Sequence, residues 1–280
     1  MSNLDLPDSI VADVANTSKT PVYQRILAIS NQKGGVGKTT TAVNLATAIA
    51  AVNKKVLVID LDPQGNASTS LGIDQKHRAV NTYHVLTGEA PLSAAIVPTA
   101  VPGLFMVPSG VDLAAAEIEL IDLEDRQARL KNALAEQAQD FDFILIDCPP
   151  SLGLLTLNAL VAAHAVMVPL QAEFLALEGI SHLAKTIERV RKAFNPTLVI
   201  QGIVLTMVDT RNKLSEMVES DVRGYYGDKV YRTTIPRNVR ISEAPSYGKP
   251  VLLYDFASKG ARAYLDLAGE VLKREQGVAA

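Results

Sequence analysis

Along this chain, short continuous apolar runs alternate with longer segments whose apolar residues return at helical spacing. The runs are Ile26-Leu27-Ala28-Ile29, Val56-Leu57-Val58-Ile59, Leu104-Phe105-Met106-Val107, Phe143-Ile144-Leu145-Ile146, Ala165-Val166-Met167-Val168-Pro169 and the stretch from Leu198 to Met207. Their brevity and lack of alternation are those of strands covered on both faces. Between them the spacing predicts helices over Thr41–Val52, Leu113–Leu120, Glu124–Gln139, Leu152–Ala162, Leu175–Ala193, Leu214–Tyr226 and Gly260–Gln276, with short helices within Asn81–Ala95. A further strand is expected near Val230-Tyr231. Such alternation predicts an α/β fold, a doubly wound, mostly parallel sheet with helices on both faces. No internal repeat or low-complexity linker interrupts it. Residues 25–276 are therefore expected to form one domain, between a flexible polar tail (1–24) and a short C-terminal tail (277–280).

The stretch after the first run adds chemistry to the fold. Gln32-Lys33-Gly34-Gly35-Val36-Gly37-Lys38-Thr39-Thr40 stands between a strand and a helix, the context of a phosphate cradle. Glycines there let backbone N–H groups turn inward, where a Cβ would obstruct them. The helix starting near Lys38 aims its positive end at the same point. Lys38 is expected to reach the β- and γ-phosphates of a nucleotide, and the Thr39 hydroxyl to hold Mg²⁺. The usual loop opens on glycine; Gln32 stands at that position here, and a second lysine, Lys33, follows it.

Two of the runs end in acid. The second leads into Asp60-Leu61-Asp62-Pro63-Gln64-Gly65-Asn66, and the fourth into Asp147-Cys148-Pro149-Pro150. If the strand persists, Asp60 and Asp62 project to one side at its C-terminal end, where ligands sit in open parallel sheets. Alone, this segment reads equally well as a solvated Asp-Pro turn; the cradle upstream favours the ligand site. Asp147 is expected to orient Mg²⁺ through a water. Cys148 is expected to be structural, since the chemistry needs no thiol.

At 280 residues and 48% hydrophobic, the chain can bury one large core. A net charge of −3 excludes a general polycation, so any nucleic-acid contact must come from a local patch. One cysteine excludes a disulfide within the chain and a four-thiolate metal site in one subunit. His77, His84, His164 and His182 lack metal-ligand spacing. No apolar stretch is long enough to span a bilayer, and no basic-then-apolar signal opens the chain, so the cytoplasm is the expected compartment.

Four segments carry a resemblance: Lys33 to Thr40, Asp60 to Asn66, Ile146-Asp147-Cys148-Pro149-Pro150-Ser151, and Ile235-Pro236-Arg237-Asn238-Val239-Arg240-Ile241-Ser242-Glu243-Ala244-Pro245-Ser246. Together they resemble the ParA, or Soj, family of bacterial chromosome-partitioning ATPases, P-loop NTPases with a deviant Walker A loop shared with MinD. The resemblance runs from Arg25 to Gln276, and its second and fourth segments are the more specific.

The resemblance implies an ATPase, weak alone, that uses ATP and Mg²⁺. Its ATP-bound form would be a nucleotide-sandwich homodimer that binds double-stranded DNA without sequence preference, on the nucleoid. Hydrolysis stimulated by DNA and a ParB-type centromere-binding partner would release it. Lys33 matches the signature lysine that crosses to the partner's ATP. Lys33, Gly34, Gly35, Val36, Gly37, Lys38, Thr39 and Thr40 match the phosphate loop, and Pro236 and Asn238 a loop against the adenine. Asp62 matches the carboxylate that positions the attacking water, and Asp60 and Asp147 match the Mg²⁺-side acids. Arg211 and Arg240 match arginines of the DNA contact. Arg237, Lys213, Lys249 and Lys259 lie close enough in sequence to extend that patch, although scattered surface cations are usually just solvated.

Three other readings are weaker. A MinD-like membrane-cycling ATPase needs a C-terminal amphipathic helix with a bulky apolar face, whereas Leu265 to Gln276 mixes charges and reads as a helix packed on the domain; no membrane binding is expected. A nitrogenase-type reductase needs two cysteines per chain, and only Cys148 is present. A non-hydrolysing scaffold has no use for Asp62.

Overall fold

The computed structural model describes residues 24–137, 140–173, 176–209 and 211–278. Apart from Gln24, the tail expected over 1–24 lies outside these residues, as do Ala279 and Ala280. The strands are β1 (Arg25–Ile29), β2 (Val56–Asp60), β3 (Val97–Pro98), β4 (Leu104–Val107), β5 (Phe143–Asp147), β6 (Ala165–Gln171) and β7 (Val199–Thr206). The helices are α1 (Lys38–Ala50), α2 (Asn66–Ser70), α3 (Thr82–Thr87), α4 (Leu92–Ala95), α5 (Leu113–Glu119), α6 (Arg129–Gln137), α7 (Leu154–Ala162), α8 (Ala176–Ala193), α9 (Lys213–Tyr226), α10 (Val239–Glu243), α11 (Val251–Tyr254) and α12 (Lys259–Val278).

The seven strands form one sheet in the order β3-β4-β2-β5-β1-β6-β7. Every neighbouring pair is parallel except β3 on β4. β3 is a two-residue edge strand ending in Pro98, a residue that a central strand would not tolerate. The mostly parallel sheet predicted from the apolar runs is present. β2 and β5 are buried at every position, which is why they read as continuous apolar runs.

Helices cover both faces. One apolar cluster joins Ile144, Ile146, Leu155, Leu160, Ile180, Leu183, Leu130 and Leu120. The other joins Leu27, Ile29, Leu45, Ile49, Val58, Leu145, Leu267 and Val271, so α1 and α12 share the opposite face. Alternate residues of β5 serve the two clusters, Ile144 and Ile146 one, Leu145 the other, as the strand period requires. Each fully buried Leu or Ile contributes about 1.5–3 kcal/mol relative to exposure.

Two predicted elements differ. The helix expected over Glu124–Gln139 begins only at Arg129, because Asp125 takes a positive φ of 53° and the Ala128 N–H closes a turn onto the Asp125 carbonyl at 2.7 Å. The strand expected near Val230-Tyr231 is reduced to one bridge, Ile203 to Val230. Just beyond it, the Arg232 and Thr233 amides donate to Glu270 of α12 at 2.9 and 3.1 Å and pull the chain off the sheet. Short helices α2, α10 and α11 were not anticipated; two of them flank the site described next.

Candidate functional site

The loop between β1 and α1 has the backbone the glycines forecast. Gly35 and Gly37 take positive φ, 74° and 85°. Gly37 serves as the N-cap of α1, and no side chain caps that helix, so its first amides face the loop. Gly34 and Gly35 are exposed and a Cβ on either would meet no atom within 4 Å, so the positive φ of Gly35, not crowding, is what calls for glycine there. Two tethers hold the loop: Thr206 at the end of β7 donates to the Val36 carbonyl at 2.8 Å, and Asn31 donates to the Pro169 carbonyl at 2.8 Å.

Both lysines are present in the loop. Lys38 is buried, and its Nζ donates to the Lys33 carbonyl at 2.9 Å. Burial pulls its ammonium below the usual lysine range, and the nearby Asp147, Cys148 and Asp62 act against that pull. The Lys33 ammonium points the other way, into an ion pair with Glu173 just past β6.

Strand order then brings the acids together. β5 lies between β1 and β2, with Asp147 level with Ile29 on one side and Asp60 on the other. The cradle and both strand-end carboxylates therefore share the C-terminal edge of the sheet, where the crossovers diverge and ligands bind. Asp60 and Asp147 are fully buried, and Asp62 is 8% exposed. Asp60 accepts from the Ser68 amide and hydroxyl at 2.9 and 2.7 Å and from the Asp62 amide at 3.2 Å. Burial nonetheless pushes it up to about 6, with the Asp62 charge adding to the rise. Asp62 accepts from the Gln64 amide at 3.0 Å.

Asp147 differs from Asp60 in one respect. Both of its carboxylate oxygens are buried and neither has a partner at good hydrogen-bond geometry, although the Thr39 hydroxyl acts on the carboxyl as a donor. Burial first, then the Asp60 charge, raises it well above the carboxylate range; the Thr39 hydroxyl and Lys38 charge oppose that. A buried carboxylate so poorly satisfied costs on the order of 1–3 kcal/mol or more. It fits a site completed by a cation or an ordered water. Cys148 is fully buried and its thiol is pushed upward by burial, which suits a packing role and not a nucleophile.

Pro236 and Asn238 fall on the loop that enters α10. Pro236 bridges to Val208, and the Arg237 amide donates to the Val208 carbonyl at 3.1 Å. The Asn238 side-chain oxygen caps α10, accepting from the Arg240 and Ile241 amides at 2.9 and 3.3 Å. The bridge also brings Asp209, the carboxylate that Arg211 holds, within reach of the Arg237 charge. Arg211, Lys213, Arg237, Arg240, Lys249 and Lys259 are all exposed. The two arginines are not free: Arg211 makes a two-pronged pair with Asp209, at 2.9 and 2.8 Å, and Arg240 pairs with Glu243 at 2.9 Å and Asp255 at 3.2 Å.

Sequence reading missed several participants. Ser68, Glu173 and Thr206 hold Asp60, Lys33 and the loop, yet none sits in a motif, and only the fold brings them near. Ser68 had one available signal, since Gly65-Asn66 breaks the chain and a helix starting there returns a hydroxyl toward Asp60.

Residues 24–200 match the family described as an AAA domain. The chain is 59% identical over 254 residues to the chromosome partitioning protein ParA of Caulobacter vibrioides, covering 90% of this chain and 95% of that one. It is 52% identical over 247 residues to the sporulation initiation inhibitor protein Soj of Bacillus subtilis, covering 88% of this chain and 98% of that one. A solved structure described as cobyrinic acid a,c-diamide synthase from Mycobacterium smegmatis, with bound ADP and magnesium, superposes with a TM-score of 0.80 at 41% identity, covering 91% of this chain and 97% of that one. One fold can carry unrelated activities, so that description does not compete with relatives of higher identity. With the cradle, the paired strand-end acids and these relatives in hand, the chain belongs to the ParA/Soj family of chromosome-partitioning P-loop ATPases.

Proposed function

We propose that this protein is an ATP-driven DNA-partitioning switch, with residues 25–276 acting as one unit in the cytoplasm and on the nucleoid. ATP occupies the loop Lys33–Thr40, and Lys38 meets its β- and γ-phosphates. Thr39, Asp60 and Asp147 hold Mg²⁺, which supplies charge neutralisation at the phosphates. The observation that carries this reading is the fully buried Asp147 carboxyl, level with Asp60 and with the end of β1 that leads into the glycine loop, and acted on by Thr39 and Lys38.

Asp62 orients the attacking water. Phosphoryl transfer asks little covalent work of a protein, so positioning and charge stabilisation are what these residues contribute. Lys33 crosses to the phosphates of a second copy, and Pro236 and Asn238 lie against the adenine. Two such chains then present Arg211 and Arg240 twice, with Arg237, Lys213, Lys249 and Lys259 around them. Paired patches gain DNA affinity without a second loss of translational freedom. A ParB-type partner stimulates hydrolysis, which removes the γ-phosphate bridge and releases the DNA.

The membrane-cycling alternative has less support. Leu267, Ala268 and Val271 of α12 are buried in the core cluster, so that face is already occupied. Among the described residues no helix is long and apolar enough to cross a membrane.

The test is Asp62→Ala. Nucleotide affinity is expected to stay, phosphate release to vanish, and Mg·ATP to trap a dimer visible by sedimentation. Wild-type phosphate release would remove Asp62 from the mechanism. A variant that stays monomeric at saturating Mg·ATP would remove the nucleotide-bridged dimer.

A further inference from the structure

Two glycines connect the nucleotide side of the molecule to the cationic side. Gly72 follows α2, and Gly248 ends the turn after Ala244-Pro245-Ser246-Tyr247. Both have positive φ, 72° and 61°. A Cβ on Gly72 would lie 2.8 Å from the Gly248 carbonyl oxygen, and a Cβ on Gly248 would lie 3.0 Å from Gly72 Cα. Backbone therefore rests directly on backbone, an approach that only glycine at both positions allows.

Each glycine lies at the end of a rigid connection. On one side, Ser68 binds Asp60 through its amide and hydroxyl, and the same short helix closes on Gly72 through the Thr69 carbonyl at 3.0 Å. On the other side, Tyr247 stacks on Tyr254 with ring centroids 4.9 Å apart. The Tyr254 hydroxyl donates to Glu243 at 3.2 Å, onto the same carboxylate oxygen that holds Arg240 at 2.9 Å. This segment has a second anchor as well. The Val251 amide donates to Asn44 of α1 at 2.7 Å, and α1 is the helix that begins at Lys38.

The segment from Val239 to Tyr254 thus hangs between two parts of the nucleotide site. One anchor follows the cradle helix; the other follows the Asp60–Asp62 loop. We propose that the Gly72–Gly248 contact couples the two, so that closure of the Asp60–Asp62 loop on nucleotide shears the segment and moves Arg240 from Glu243 and Asp255 toward a DNA phosphate. Gly72, Gly248, Tyr254 and Glu243 are positioning residues for Arg240 and touch neither nucleotide nor DNA. The guanidinium has two alternatives, the carboxylates of its own chain or an external phosphate, and the loop biases the choice.

This inference rests on the reading of Arg240 as a DNA contact, and the experiment separates the two. Affinity for a mixed-sequence DNA duplex is measured with Mg·ATP and with Mg·ADP on full-length protein, alongside ATP affinity and dimer formation by sedimentation. In Gly72→Ala, ATP affinity and the ATP-dependent dimer are expected to persist while the ATP-over-ADP ratio of DNA affinities falls by about tenfold or more. Tyr254→Phe removes one hydroxyl with no change of backbone, and the same ratio is expected to fall by a smaller factor. If both variants dimerise and keep the wild-type ratio, avidity alone explains the ATP effect and the coupling is overturned. If Arg240→Glu leaves wild-type DNA affinity unchanged, both the contact and the coupling are overturned. If Arg240→Glu abolishes binding while Gly72→Ala and Tyr254→Phe keep the ratio, only the coupling is overturned.

Discussion

The Lys33 ammonium is ion-paired to Glu173 of its own chain, while the Lys33 carbonyl accepts the Lys38 ammonium at 2.9 Å. Both loop lysines are thus occupied internally. A lysine that is to reach across to another subunit's phosphates must first leave Glu173. The pair is exposed, so its hold is about 0–1 kcal/mol, enough to tune an equilibrium but not to block it. Glu173→Gln should therefore tighten ATP-dependent dimerisation by up to about fivefold for each of the two subunits. Sedimentation against Mg·ATP concentration checks this, and a weaker dimer would assign Glu173 a supporting role in place of a restraining one.

Thr206→Val removes the hydroxyl that ties the loop to β7 through Val36 and leaves every loop residue in place. The expected cost is about 1 kcal/mol of unfolding free energy, read from the urea midpoint, with a raised KM for ATP. A KM unchanged from wild type would mean that the loop holds its shape without this tether.

Ser68→Ala takes two things from the site: the hydroxyl that Asp60 accepts, and the acceptor for the Ser109 amide at 3.0 Å. Two buried groups lose a partner, so a loss of about 2–4 kcal/mol is expected. Chemical denaturation measures it. A loss below about 1 kcal/mol would show that water replaces the hydroxyl.

Arg211→Glu with Arg240→Glu should reduce both DNA affinity and its salt dependence. Each phosphate contact contributes about −0.9 to the log–log slope, so losing two per subunit in a dimer flattens the plot visibly. Part of the cost of wild-type binding is releasing Asp209, which the Arg211 hydrogen bonds hold down to about 2, and releasing Glu243. Unchanged slope and affinity in the double variant would place the DNA contact elsewhere.

His164 accepts the Ile26 amide on Nδ1 at 3.1 Å, at the start of β1. Burial and Arg25 hold its folded pKa below the ordinary 6.5. The folded chain therefore favours the neutral ring, and protonation favours unfolding. This contribution is full above about pH 6.5 and is lost as pH falls toward the folded value. His164→Ala should lower stability by about 1 kcal/mol at pH 7.5, with the gap to wild type narrowing as pH falls below about 6.5. A gap that stays constant with pH would exclude this linkage.

How much was legible beforehand follows from range. Lys33 to Thr40, Asp60, Asp62 and Asp147 were readable because each stands where a continuous apolar run ends, and that position in a parallel sheet is a ligand edge whatever the strand order. The short helices α2, α10 and α11 were not readable. With five, five and four residues they carry too little periodicity to be seen. Asp125 hid the late start of α6 in the same way, because a lone positive φ leaves no pattern in composition.

By itself the sequence determined the alternation of strand and helix, the glycine cradle and the acids at the strand ends, since all of these are local consequences of periodicity and of glycine's missing Cβ. The tertiary structure alone decided that β5 inserts between β1 and β2 and so sets Asp147 beside Asp60. It alone set Glu173 against Lys33, Thr206 against Val36 and Gly72 against Gly248. Those pairs are separated by tens to more than a hundred residues, and what joins them is the packing of a sheet whose order no local pattern encodes.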